Sequence, residues 1–281
     1  MALFHECAIS QNWHSGSNAQ REPALFTDEQ ILDFHKVGWI HLPQLFSADE
    51  VGQIRACFDN LEIIADGLTE SGDCEGSRFI LGNKGGEKVI KRVVWAGASQ
   101  PYLLDIGADR RLTKRAAQLL GSLQMEQLLN QAHFKRPNDG VVFGWHQDIQ
   151  HRDKGDGTWI DVNGKGSFVQ TLIAIDEMTP DSGPLQFIPG SAGWGPVDFG
   201  DHDYDDPNYQ PKRPPQFEEE DAVTIIAKPG DTLFFGPYTA HASFENTSNS
   251  YRRVLINGYA YPGANKRVYP GRGSGRTLVV S

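Results

Sequence analysis

His146, Asp148 and His241 are the side chains of this chain whose types and spacing can do chemistry together. Two stand in the frame Gly144-Trp145-His146-Gln147-Asp148, the third in Tyr238-Thr239-Ala240-His241. Residues i and i+2 of a strand share a face, so an extended Phe143–Asp148 projects His146 and Asp148 together. His241 comes from elsewhere, after the turn Pro229-Gly230-Asp231 and the apolar run Thr232–Phe235. Two imidazoles and a carboxylate occupy one face of an octahedral metal and leave three positions open. That suits non-heme Fe(II), which must hold a co-substrate and O2 together. A lone His-x-Asp is more often a hydrogen-bonded surface pair, and nine histidines make accidental pairs common. His241, and an arginine eleven residues after it, weigh against that reading and toward an oxygenase.

The arginine is Arg252. A guanidinium fork binds a carboxylate through two parallel hydrogen bonds. At the start of a strand, Arg252 is expected to turn back toward the metal pocket. Ser243 shares a strand face with His241 and is a second donor to the same carboxylate. By alternation only one of Arg252 and Arg253 points inward, and Arg253 reads as a solvent-exposed base. Weaker candidates are Gln131 and His133 on a strand upstream of the metal frame, and Thr171 as a contact for the carboxylate of a keto acid. Trp145, His151 and Arg152 are candidates for the substrate pocket because they flank the metal frame. Arg92, beside Lys91, reads either as a contact for an anionic substrate or as an edge-strand base.

These residues need a scaffold. Residues 1–24 read as an irregular arm. Thr27-Asp28-Glu29-Gln30 and Ser47-Ala48-Asp49-Glu50 read as capping boxes opening helices. Val51, Ile54, Phe58, Leu61 and Ile64 give the second helix an apolar face. Residues 66–88, rich in glycine and charge, read as a loop, Val89–Trp95 as a strand and Arg110–Leu120 as a third helix. From about residue 123 short β-type runs recur between Gly, Pro, Asn and Asp turns, which indicates a sandwich or barrel. The expected organisation is a helical lead-in over 25–122, a β core over 123–262 and a lid-like insertion over 191–221.

The chain has 281 residues, with 39% hydrophobic and 22% charged, enough apolar content for a sizeable core. A formal net charge of −10 argues against nucleic acid or an anionic membrane as a general partner. Residues 198–221 hold nine acids against Lys212 and Arg213, and read as a solvated loop or a lid attracting a cationic group. Three cysteines without CxxC spacing favour reduced thiols and a cytoplasmic setting. No stretch approaches a membrane span or a signal peptide. The glycine-rich 271–275 has no helix after it and is no phosphate loop, and neither His-Glu-x-x-His nor Gly-x-Ser-x-Gly occurs.

His146-Gln147-Asp148, then Gly183-Pro184-Leu185-Gln186-Phe187-Ile188-Pro189-Gly190-Ser191, then Pro229-Gly230-Asp231 before His241, then Arg252, resemble the phytanoyl-CoA dioxygenase family over about residues 25–262. The Trp-His-Gln-Asp string is similar to that of its ectoine hydroxylases. The resemblance implies a mainly β protein with flanking helices and a double-stranded β-helix (jelly-roll, cupin-like) core. It implies Fe(II) on His146, Asp148 and His241, with 2-oxoglutarate and O2 as co-substrates and Arg252 with Ser243 on the distal carboxylate of 2-oxoglutarate. Related halogenases carry a small residue at the carboxylate position, so Asp148 favours hydroxylation or another C–H oxidation of a small molecule. The rivals are a jelly-roll metal hydrolase or isomerase that does not use O2, and a non-catalytic metal-stabilised binding module. Neither requires Arg252 and Ser243.

Overall fold

The structure is a computed structural model describing residues 24–200, 212–269, 271 and 274–281. The arm expected over residues 1–24 lies almost wholly outside them. The first described elements follow their caps. Helix α1 (Asp28–Val37) opens on the Thr27–Gln30 capping box and stops at Gly38, whose φ of 111° a side chain would resist. Strand β1 (Trp39–Leu42) follows. Helix α2 (Ala48–Gly67) opens on the Ser47–Glu50 box and buries Val51, Ile54, Phe58 and Leu61.

The segment expected as a loop over 66–88 is instead a meander: β2 (Gly72–Cys74), β3 (Ser77–Lys84) and β4 (Glu87–Val94). Its turn is Gly85-Gly86, both at positive φ, with Asn83 accepting from the Gly86 amide. The glycine and charge that suggested a loop belong to the exposed end of a hairpin, while Phe79 on the same strand is fully buried. Helices α3 (Pro101–Gly107) and α4 (Arg110–Leu120) lead into β5 (Gln124–His133). Beyond it come β6 (Phe143–His146), α5 (Ile149–Arg152), β7 (Phe168–Ala174), β8 (Leu185–Phe187), β9 (Val223–Thr224), β10 (Thr232–Phe235), β11 (His241–Ser243), β12 (Val254–Ala260) and β13 (Arg276–Val279).

Two antiparallel sheets result. The large one runs β1-β10-β7-β12-β5-β4-β3-β2, with β13 also on β5, and the small one runs β6-β11-β8-β9. Helices cover one face of the large sheet, where Phe34, Phe58, Leu61 and Leu119 meet Val169, Ile173, Phe234 and Leu255. Its other face meets the small sheet through Leu172, Leu233, Phe235 and Val254 against Leu185 and Phe187. The large sheet is therefore buried on both sides, and β7 is buried at every residue. This is the helix-flanked jelly roll expected from the sequence. Close approach of β12 to its neighbours requires Gly258, where an added Cβ would lie 2.5 Å from the Phe168 ring. Among the described residues no helix is long and apolar enough to cross a membrane.

The base of the insertion is anchored. Phe199 and Phe217 pack with Trp145 and Ile188 on the outer face of the small sheet, while Tyr204 and Tyr209 lie outside the described residues.

Candidate metal centre and co-substrate pocket

His146 ends β6 and His241 opens β11, and the two are direct antiparallel partners with ring centroids 4.2 Å apart. Each ring is fixed by its own backbone. Nδ1 of His146 donates to the Gly144 carbonyl at 2.6 Å, and Nδ1 of His241 to the Thr239 carbonyl at 2.9 Å. A carbonyl only accepts, so in the neutral ring the proton sits on Nδ1 and Nε2 keeps its lone pair.

Asp148 does not share the strand. β6 ends at His146, and Asp148 takes helical φ and ψ of −61° and −25° at the head of α5. The turn still carries its carboxylate to 3.9 Å from His146 Nε2 and 3.7 Å from His241 Nε2. One ligand atom from each of the three lies within 4.8 Å of the others. Burial pushes the Asp148 carboxyl up, while His241, Arg152 and the Gln170 amide pull it back. Three acceptors converge with both imidazole N–H groups committed elsewhere, so a divalent cation is the group that satisfies them, and Fe(II) fits this donor set.

The surrounding motifs explain the placement. Gln147 donates to the carbonyls of Tyr238 and Gly195, at 2.6 and 3.0 Å, tying the metal frame to the loop before His241. Ser191, the end of the Ile-Pro-Gly-Ser string, accepts from the Ala240 amide at 2.8 Å and so seats the strand carrying His241. Asp231 accepts from the Gln44 and Lys228 amides at 2.8 and 3.0 Å and faces His41 at 3.0 Å, binding β1 to the turn before β10. Gln170 donates to the Asp148 carboxylate. Second partners of this kind orient ligands and tune their basicity.

Arg252 lies between the sheets, 2% exposed. Its Nε and one terminal nitrogen donate to the Gly183 carbonyl. No carboxylate among the described residues forms an ion pair with it, and burial pulls its pKa down to about 10, which leaves it cationic at neutral pH. A desolvated guanidinium with spare donors is a carboxylate receptor. Gly183 is held by space: at φ 69°, an added Cβ would lie 2.4 Å from the Phe244 carbonyl oxygen. Ser243, 3% exposed, is on β11 two residues after His241. Arg253 is also buried, contrary to the expectation of an exposed base. Alternation does turn it to the other face, but that face is covered, and it pairs there with Asp176 at 2.7 Å and Asp59 at 2.6 Å.

The weaker candidates divide. Gln131 and His133 share the inter-sheet face and bond each other at 2.9 Å. Burial, then the charges of Arg92, Arg252 and Lys135, hold His133 well below the usual imidazole range. Arg92 is the β-partner of His133 and enters the same space. Arg152 is buried, while His151 is exposed, with its ring 5.5 Å from that of His146. Thr171 and Trp145 face away. Thr171 pairs with Asn257, whose side chain accepts from Asn130 on the helix side, so Gln170 rather than Thr171 faces the metal site. Trp145 alternates with His146 and packs outward on Phe217, with ring centroids 5.1 Å apart. Lys135, not singled out from the sequence, is fully buried and donates to the carbonyls of Ser243 and Phe244. Its only advance signal was a lysine at the end of an apolar strand.

Residues 34–254 match the family model for phytanoyl-CoA dioxygenase, and the chain belongs to that family. It is similar to an ectoine dioxygenase of Sphingopyxis alaskensis, 28% identical over 166 residues, 58% of this chain. That match spans about half of the relative's length, 48%. It is also similar to an L-proline trans-4-hydroxylase of Streptomyces griseoviridis, 26% identical over 78% of this chain and 81% of the relative. Among solved structures, iron-bound EctD from S. alaskensis aligns over 94% of this chain and 83% of its own, with TM-score 0.65 and 22% identity. EvdO2 from Micromonospora carbonacea var. aurantiaca, complexed with 2-oxoglutarate, aligns over 88% and 96% with TM-score 0.64 and 22% identity. These similarities show a shared fold.

Proposed function

We propose that the chain is an Fe(II)- and 2-oxoglutarate-dependent oxygenase that hydroxylates a C–H bond of a small metabolite. The observation that carries this reading is the pairing of the His146–Asp148–His241 acceptor set with Arg252, a buried cation with no ion pair among the described residues. A metal hydrolase needs the first and has no use for the second.

His146, Asp148 and His241 would hold the metal through two Nε2 atoms and one carboxylate. Arg252, with Ser243, would hold the distal carboxylate of 2-oxoglutarate. Bound together, iron, 2-oxoglutarate and O2 supply the oxidation, with release of succinate and CO2. The protein's share is positioning and exclusion of water. Gln170 orients the Asp148 carboxylate. Phe187 and Phe235 wall the His241 ring, with centroids 5.8 and 5.1 Å away, and keep that side dry. Asp148 occupies the place that chloride would need in halogenation. The names of an ectoine dioxygenase and a proline hydroxylase support a small-molecule substrate.

Anaerobic protein given Fe(II) and 2-oxoglutarate should show the visible charge-transfer band of a chelated keto acid, and air should then release succinate. No band and no succinate would sink this reading.

A further inference from the structure

The metal ligands and Arg252 leave one group of cations between the sheets unused. Arg92 extends from β4 beside His133. Arg152 closes α5, four residues after Asp148, and is 5% exposed. Its guanidinium lies 4.8 Å from the centre of the Phe168 ring and 5.1 Å from that of Tyr269, contacts that fix its plane. Its Nε is buried without a hydrogen-bond partner, and so is the phenol oxygen of Tyr269. Neither Arg92 nor Arg152 has an ion pair or a side-chain hydrogen bond among the described residues.

The two arginines flank the same strand: His133, the β-partner of Arg92, has its ring 4.9 Å from that of Phe143 at the start of β6, and Arg152 closes the helix that follows the end of that strand. Arg152 sits one helical turn after Asp148, which heads the same short helix, and this puts the cluster beside the triad. The other bases there, His133 and Lys135, supply no counter-charge, and burial with the charges of Arg92, Arg252 and Lys135 holds His133 well below the usual imidazole range. Elsewhere Arg111 is balanced by Glu50 and Asp109 and Arg253 by Asp176 and Asp59, while the buried Arg115 donates to the backbone carbonyls of Arg111 and Ala24. Like charges sequestered without an anion cost stability, and a ligand that supplies the missing charge removes that cost. The chain as a whole carries −10, so attraction for an anion is local to this pocket.

Resting on the oxygenase reading above, we propose that Arg92, Arg152 and the Tyr269 hydroxyl form a subsite for an acidic group of the substrate, a carboxylate, phosphate or sulfate. Anchoring that group beside Asp148 fixes which C–H bond of the substrate faces the metal. The substrate is thus an acid, and its anchor is separate from the Arg252 receptor for the co-substrate.

The test uses the anaerobic protein with ferrous chloride and saturating 2-oxoglutarate, titrated with sodium sulfate and, in parallel, with dimethyl sulfone as its uncharged counterpart. Sulfate should shift the charge-transfer band saturably without lowering its intensity, and dimethyl sulfone should leave it unchanged. Arg92→Gln and Arg152→Gln should keep the band and weaken the sulfate effect at least about tenfold. Sulfate without effect, sulfate and sulfone acting alike, or sulfate acting equally on wild type and both variants overturns the subsite. So does loss of the band in a variant whose circular dichroism matches wild type, or displacement of 2-oxoglutarate by sulfate, because either assigns these groups to the co-substrate. If the variants do not fold, the comparison of sulfate with sulfone on wild type decides alone. Absence of the band in wild type before any sulfate contradicts the oxygenase reading instead.

Discussion

On the helix-covered face of the large sheet, Arg253 meets two carboxylates, Asp176 and Asp59, and holds α2 against the loop after β7. On the opposite face, one residue earlier, Arg252 donates to the Gly183 carbonyl and has no ion pair among the described residues. The two side chains have the same chemistry and nearly the same burial. Alternation along the chain turns them to opposite faces, and the groups waiting there decide their roles. Arg253 is satisfied within the fold. Arg252 keeps donors free for a carboxylate from outside, as the proposed role of co-substrate receptor requires.

Arg253→Ala gives the largest expected effect on that contrast. It leaves Asp176 with Arg55 as its remaining cation and removes several charge-assisted hydrogen bonds, so it should cost about 2–3 kcal/mol of unfolding free energy, with 2-oxoglutarate affinity retained in the folded fraction. Arg252→Ala should stay within about 1 kcal/mol of wild type, because no native ion pair is lost; urea unfolding of both variants measures the difference. Next, Ser243→Asp offers Arg252 a carboxylate of its own and should make it resemble Arg253. Calorimetry should then show 2-oxoglutarate affinity falling about 10- to 100-fold, about 1.4–2.8 kcal/mol. Gln170→Leu removes the donor that orients Asp148 and should weaken Fe(II) binding about 10-fold, at the low end for a second partner of a metal ligand, while Thr171→Val should leave it unchanged. The smallest effect is Asp59→Asn: this carboxylate is largely exposed, so its loss should cost under about 1 kcal/mol. A larger loss would mean that Asp59, not Asp176, anchors Arg253.

Residue types and spacing singled out His146, Asp148 and His241, and the structure brings one ligand atom of each within 4.8 Å of the others. The strand that leads into His241 was legible too: Thr232–Phe235 is bounded in the structure as the sequence reads it. Orientation was harder where polarity does not alternate. In β7 both faces are buried, so nothing in Phe168–Ala174 tells Gln170, which faces the metal site, from Thr171, which faces the helices. Arg253 looked exposed because its partners are 77 and 194 residues away in sequence. The hairpin over 72–94 was hidden by its charged, glycine-rich tip. Asp148 reached the site by a helical turn where an extended strand was expected, since a ligand pattern names the atoms and not the backbone between them.

The central claim is that Arg252 is a receptor and Arg253 a brace. Titrating 2-oxoglutarate into anaerobic Fe(II)-loaded wild type, Arg252→Ala and Arg253→Ala measures it directly. Arg252→Ala should bind 2-oxoglutarate about 100-fold more weakly, about 2.8 kcal/mol, the worth of one or two charge-assisted hydrogen bonds. Its iron affinity should match wild type, and folded Arg253→Ala should bind 2-oxoglutarate as wild type does. Equal weakening in both variants, or undiminished binding in Arg252→Ala, would contradict the account.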